Sequence, residues 1–223
     1  MTARKRVGVL ISGRGSNMVS LAHAAQADDY PAEIAIVASN VPDAPGLARA
    51  REFGIKTATV DHKLFDDRAG FERALHMVLK DANIDLLCNA GFLRLLTKDF
   101  VDAWLDRQLN IHPSLLPAYK GLHTHERVIA DGTRISGATV HFVRTEMDAG
   151  PIVAQAAVPV LSNDSADTLA ARVLDAEHAL YPHALALVAG GKARVVDERV
   201  VHAGDATTSA SLMSPQLLVP NAG

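Results

Sequence analysis

Asn110 and His112 stand two residues apart in Leu109-Asn110-Ile111-His112-Pro113-Ser114-Leu115-Leu116-Pro117. On an extended strand that spacing puts both side chains on one face. Pro113 ends regular pairing, so the two emerge at the lip of a strand. An amide that can donate to a developing oxyanion, beside an imidazole that can move a proton, suits acyl-type transfer at a carbon–oxygen double bond. The plain alternative is a strand-end pair bonded to backbone. Asp148, in Glu146-Met147-Asp148-Ala149-Gly150-Pro151, is the candidate third member. A carboxylate beside an imidazole stabilises its cationic form. Asp148 also fits an ordinary Asx turn.

Ser12-Gly13-Arg14-Gly15-Ser16-Asn17 lies between an apolar run and a helical pattern. Glycines there let backbone N–H groups converge on an anion at a helix start. No Gly-Lys-Ser/Thr follows, and Met18 fills the third glycine position, so neither a Walker loop nor a full dinucleotide fingerprint is present. A tight turn capped by Ser16 or Asn17 is the alternative. Gly121-Leu122-His123-Thr124-His125-Glu126 is rich in histidine, but the partners expected at zinc spacing are missing, so loop or substrate-lining roles are favoured over a metal. His141 reads as an exposed strand residue. Arg68 opposes the dipole at a helix start, which hints at a second task. Glu177 sits at the margin of the stripe Leu169, Val173, Ala176, Leu180, where a carboxylate can face a cleft or simply meet solvent. Gly91-Phe92-Leu93-Arg94-Leu95-Leu96 follows a strand end, where open α/β sheets bind ligands. Its apolar run suits a pocket wall for a flat ring, or ordinary packing.

The elements that must position these groups are readable from periodicity. Apolar runs at Val7–Ser12, Ile34–Ala38, Thr57–Val60, Leu86–Ala90 and Gln108–His112 predict strands. Helical spacing predicts helices over Asn17–Ala27, Pro45–Phe53, Asp67–Lys80 and Thr97–Trp104. The alternation implies an α/β fold with a doubly wound, mostly parallel sheet. After it, Gly137–Val143 alternates like an exposed edge strand, with Ile152–Val160 as its antiparallel partner. Ser165 caps a long helix reaching about Val188, and Val195 with Val200–His202 suggests a closing hairpin, an antiparallel C-terminal extension. Residues 1–202 read as one domain and 203–223 as a flexible tail.

The chain has 223 residues and a formal net charge of −3, and it shows no basic stripe interleaved with aromatics, so no nucleic-acid partner is expected. Only 4% of residues are aromatic, which leaves a Val, Leu, Ile and Ala core suited to a parallel sheet. Cys88 is the one cysteine, so no internal disulfide forms and a cytoplasmic setting is the simplest. The run after Arg4-Lys5-Arg6 is too short for a leader or a membrane span.

Together, the Leu10–Asn17, Ala90–Leu96, Leu109–Pro117, Gly121–His125 and Gly137–Pro151 motifs make the chain resemble the phosphoribosylglycinamide formyltransferases, folate-dependent enzymes of purine synthesis. The resemblance runs from about Arg6 to Val201 and implies a Rossmann-like formyltransferase fold. It implies transfer of a formyl group from 10-formyltetrahydrofolate, as cosubstrate and without metal, to glycinamide ribonucleotide. Gly15, Ser16, Asn17 and Glu177 would hold that substrate. Arg68, Leu93, Arg94, Leu95, Leu96, Asn110, Arg144 and Asp148 would line the folate side. Asn110, His112 and Asp148 would be catalytic. Leu174 departs from the Gln or Lys that relatives often carry there. The implied partners are small molecules, with homodimer formation left open. A 10-formyltetrahydrofolate deformylase and a non-catalytic folate- or nucleotide-binding regulator are the competing readings.

Overall fold

The computed structural model describes residues 3–204 and Ser214. Strands β1 (Lys5–Ile11), β2 (Ala32–Ser39), β3 (Lys56–Thr59), β4 (Leu86–Asn89) and β5 (Gln108–His112) run parallel. Two antiparallel strands, β6 (Ile135–Phe142) and β7 (Ile152–Pro159), extend the same sheet, giving the order β3-β2-β1-β4-β5-β6-β7. The helices are α1 (Ser16–Ala24), α2 (Pro45–Glu52), α3 (Arg68–Asp81), α4 (Lys98–Ala103), α5 (Thr124–Ala130) and α6 (Ala166–Ala189). A separate hairpin, β8 (Ala193–Val196) and β9 (Arg199–His202), follows. Chain order reverses about β1 and β4, and such a switch point opens a crevice at the strands' carboxyl ends.

Two apolar layers sandwich the sheet. One packs Val9, Cys88, Leu109, Ile111 and Val140 against α1, α2 and α6. The other packs Leu10, Ile36 and Leu87 against α3 and α4. Period-two alternation therefore sends Leu109 and Ile111 into the first layer and Gln108, Asn110 and His112 to the opposite face. On that face Leu87 gives way to polar side chains at β5 and β6. The apolar cover ends where the chemistry begins.

The expected strands and the long capped helix are present, including the capping box at Ser165. Three local expectations need correction. β6 is an interior strand, since β7 covers its outer side and its residues from Ser136 onward are buried. His141, expected at the surface, is buried, and with Thr139 it faces the polar stripe beside Asn110 and His112. His125 lies on α5 rather than in a loop, because Thr124 through Ala130 form a helix too polar and short to show periodicity. The cap of α1 is Gly15, at φ 68°, with Ser16 as the first helical residue. The expected tail falls almost entirely outside the described residues. Among the described residues no helix is long and apolar enough to cross a membrane.

Candidate active site

β5 delivers Asn110 and His112 to its carboxyl end, as their spacing requires. β6 lies antiparallel with Asn110 opposite His141 and His112 opposite Thr139. The segment after β6 folds back over this face and brings Asp148, at φ 52°, between the two imidazoles. His112 Nδ1 is 3.4 Å from Asp148 Oδ2, and His141 Nε2 is 3.7 Å from Asp148 Oδ1. The Gly121 N–H donates to Asp148 Oδ2 at 2.9 Å and fixes the carboxylate. All three side chains are at least nine-tenths buried.

The two histidines are chemically unlike. His141 Nδ1 donates to the Phe142 carbonyl at 3.0 Å, so Nε2 accepts from Asn110 Nδ2 at 3.2 Å. Burial holds His141 below the ordinary histidine value, against the opposing pull of the Phe142 carbonyl and Asp148. It is therefore the neutral member. Its lone pair orients the Asn110 amide so that the second N–H points elsewhere. His112 Nε2 donates to the Tyr119 carbonyl at 2.9 Å. That leaves Nδ1, beside Asp148, as the ring nitrogen free to serve a reacting atom. At 3.4 Å the contact is long for a hydrogen bond, so Asp148 stands beside Nδ1 as a charge partner rather than a tightly bonded acceptor. Sequence reading missed His141 because its burial depends on a loop that returns from seven residues away.

The loop from Ser12 to Gly15 lies at the switch point. Gly15 is buried and its Cα approaches Gly46 of α2; the Gly46 N–H donates to the Gly13 carbonyl at 3.0 Å. Behind it Asn17 Nδ2 donates to Glu177 Oε2 at 2.7 Å, joining α1 to α6. Glu177 is buried, not a surface carboxylate, and burial pushes it up to about 7 although the Asn17 hydrogen bond pulls it down. Asn17 Oδ1 is buried without a hydrogen-bond partner among the described residues, an acceptor open to a bound donor.

The apolar segment is fastened at both ends. The Leu93 N–H donates to Ser12 Oγ at 2.8 Å, and the Thr97 N–H donates to the buried Glu72 carboxylate at 2.8 Å. Between them Leu93 and Leu95 are exposed, Arg94 is half-buried and Leu96 packs against the second apolar layer. Arg68 is exposed at the first position of α3, whose cap is Asp67. Arg144 pairs with Asp106 and Glu198 rather than with Asp148. Leu174 is half-buried on α6. Among the described residues no group of His, Cys, Asp or Glu is arranged to hold a metal ion.

An oriented amide, an imidazole and a buried carboxylate on one face can stabilise an oxyanion and transfer protons. Residues 5–185 match the formyl transferase family. The chain is 46% identical over 192 residues to the trifunctional purine biosynthetic protein adenosine-3 of Bos taurus, covering 86% of this chain and 19% of that protein. It thus spans about a fifth of the length of such relatives. It is 43% identical over 187 residues to the phosphoribosylglycinamide formyltransferase of Escherichia coli, covering 84% of this chain and 88% of that one. The crystal structure of glycinamide ribonucleotide transformylase 1 from Symbiobacterium toebii matches with a TM-score of 0.88 and 40% identity, over 91% of this chain and 95% of that one.

Proposed function

The chain belongs to the formyl transferase family, and we propose that it transfers the formyl group of 10-formyltetrahydrofolate to the amine of glycinamide ribonucleotide in purine synthesis. The observation that carries this reading is the convergence of Asn110, His112 and Asp148 on one polar face, in a sheet whose switch point carries an anion-type loop at the start of α1.

In the reaction a bond forms from the acceptor amine to the formyl carbon, and the bond from that carbon to folate N10 breaks. One proton leaves the acceptor nitrogen and one reaches N10. The second N–H of Asn110, not engaged by His141, donates to the oxyanion. A donor of this kind is typically worth about 3 kcal/mol in the transition state. His112, with Nε2 held by Tyr119, uses Nδ1 to donate to the oxyanion and to supply the proton for N10, directly or through water. Asp148 stabilises the imidazolium and takes up the amine proton along the same route. Neutral His141 keeps the amide aligned.

Gly15, Ser16 and Asn17 would receive the substrate phosphate through backbone N–H groups at the start of α1, and Glu177 would bind the glycinamide part. Leu93, Arg94, Leu95 and Leu96, with Arg68 and the loop from Arg144 to Asp148, would line the folate side. The exposed leucines support this, since apolar side chains left at a crevice suit a flat ring. Residues 1–202 are read as one formyl transferase domain, working in the cytoplasm on small molecules without a metal. A homodimer remains part of this reading, for sedimentation to decide. The anion-type loop favours an amine acceptor over water.

A transfer assay with purified protein, both substrates and a chelator tests the reading. Formyl transfer that depends on glycinamide ribonucleotide and survives the chelator is expected. Formate release without acceptor would replace the reading with hydrolysis.

A further inference from the structure

The segment bearing Asp148 leaves β6 after Phe142 and rejoins the sheet at Ile152. Arg144, near its start, has a largely shielded guanidinium with every nitrogen engaged. Nη2 donates to Asp106 Oδ1 at 2.7 Å, Nε to Glu198 Oε2 at 2.8 Å, Nη2 again to Glu198 Oε1 at 3.2 Å and Nη1 to the Val143 carbonyl at 3.0 Å. Asp106 lies just before β5, the strand of Asn110 and His112. Glu198 sits in the turn of the β8–β9 hairpin.

Both carboxylates come from residues in the left-handed region, Asp106 at φ 55° and Glu198 at φ 57°, with Asp197 beside it at φ 47°. Glycine or asparagine would adopt that backbone more readily, yet neither carries a charge for a guanidinium. A cavity of about 340 Å³ lies between Ala149–Ile152 and Glu198–Val200. Packing between the segment and the hairpin is thus incomplete there, and the forked Arg144–Glu198 pair adds a direct polar tie between the two.

We propose that Arg144, held by Asp106 and Glu198, is a positioning residue that braces the Asp148 segment between the C-terminal hairpin and the base of β5. The consequence for turnover rests on the reading of Asp148 as part of the formyl-transfer set. The brace itself does not. Gly121 fixes the carboxylate of Asp148, and Arg144 fixes the chain that carries it. A pair whose carboxylates lie exposed contributes little to global stability, but here it restricts one short segment, and its loss is felt where that segment must hold still.

Glu198→Gly separates the brace from hairpin stability, because it removes the carboxylate while relieving a left-handed backbone. Hydrogen–deuterium exchange over residues 144–150 should quicken while β6, β8 and β9 keep their protection. At saturating substrates kcat should fall about threefold to fivefold with KM for glycinamide ribonucleotide unchanged. Raising salt should lower wild-type kcat toward that of the variant. Arg144→Lys should recover part of what Arg144→Ala loses, since one donor replaces a fork. Unchanged exchange over 144–150 in Glu198→Gly would overturn the brace, and quicker exchange with full kcat would overturn its positioning role. If the wild type transfers no formyl group, the functional reading fails on its own, and the exchange comparison still decides the brace.

Discussion

Asn17 and Glu177 lock the second residue of α1 to the middle of α6, with the amide donating to the carboxylate at 2.7 Å inside the protein. One hydrogen bond does not compensate a carboxylate for losing water. Glu177 consequently keeps its proton up to about 7 instead of the ordinary 4.5.

This has a signed consequence for stability. Between 4.5 and about 7 the folded chain binds more protons at Glu177 than the unfolded chain does, so its contribution to stability falls as pH rises through that window. The full loss approaches about 3 kcal/mol. Glu177→Gln has no such titration. Its melting temperature relative to wild type should rise from about pH 5 to about pH 8. A difference that stays flat with pH would show that burial does not govern this carboxyl. The same variant should raise KM for glycinamide ribonucleotide, since a neutral amide replaces an ionisable group at the proposed substrate contact.

Asp148→Asn is a nearly silent change for the fold. Asparagine tolerates the φ of 52° and keeps an oxygen for the Gly121 N–H. It removes the charge facing His112 Nδ1. Turnover should fall by about a hundredfold or more, with melting temperature near wild type. Near-normal turnover would show that the imidazole works without its carboxylate.

Asn110→Ala removes the oxyanion donor and leaves His141 Nε2 without its partner. The expected result is a fall in kcat of about a hundredfold with a small change in KM for either substrate. A variant that mainly raised KM would make Asn110 a ground-state contact.

The pairing of Asn110 with His112 was legible because a two-residue spacing fixes side-chain direction on any strand. The long helix α6 was legible because an apolar stripe and a Ser165 cap are local signals. His141 was not, since its burial depends on residues 144–150 folding back across β6, a long-range event with no local pattern. Glu177 misled for a related reason. The stripe gave its angle on the helix, but only the arrival of α1 with Asn17 puts that angle inside the protein. The Arg144 brace joins residues up to 54 positions apart, beyond any periodicity.

The last such contact is between glycines, and it tests the anion loop without replacing any of the proposed phosphate contacts. A Cβ on Gly46 would lie 2.6 Å from Ile11 Cδ1, 3.0 Å from the Gly13 carbonyl oxygen and 3.2 Å from Gly15 Cα. Ile11 can turn its methyl aside, but the two backbone atoms must move, and they belong to the loop that presents N–H groups at the start of α1. Gly46→Ala should therefore displace the loop by a few tenths of an ångström. Such overpacking costs about 1–3 kcal/mol of stability. If the loop holds the substrate phosphate, KM for glycinamide ribonucleotide should rise about tenfold while kcat at saturation stays close to wild type, because Asn110, His112 and Asp148 stand on other elements. Affinity for an analogue lacking the phosphate should not change. Equal losses for both compounds would mean that the loop shapes the crevice generally and that the phosphate is held elsewhere.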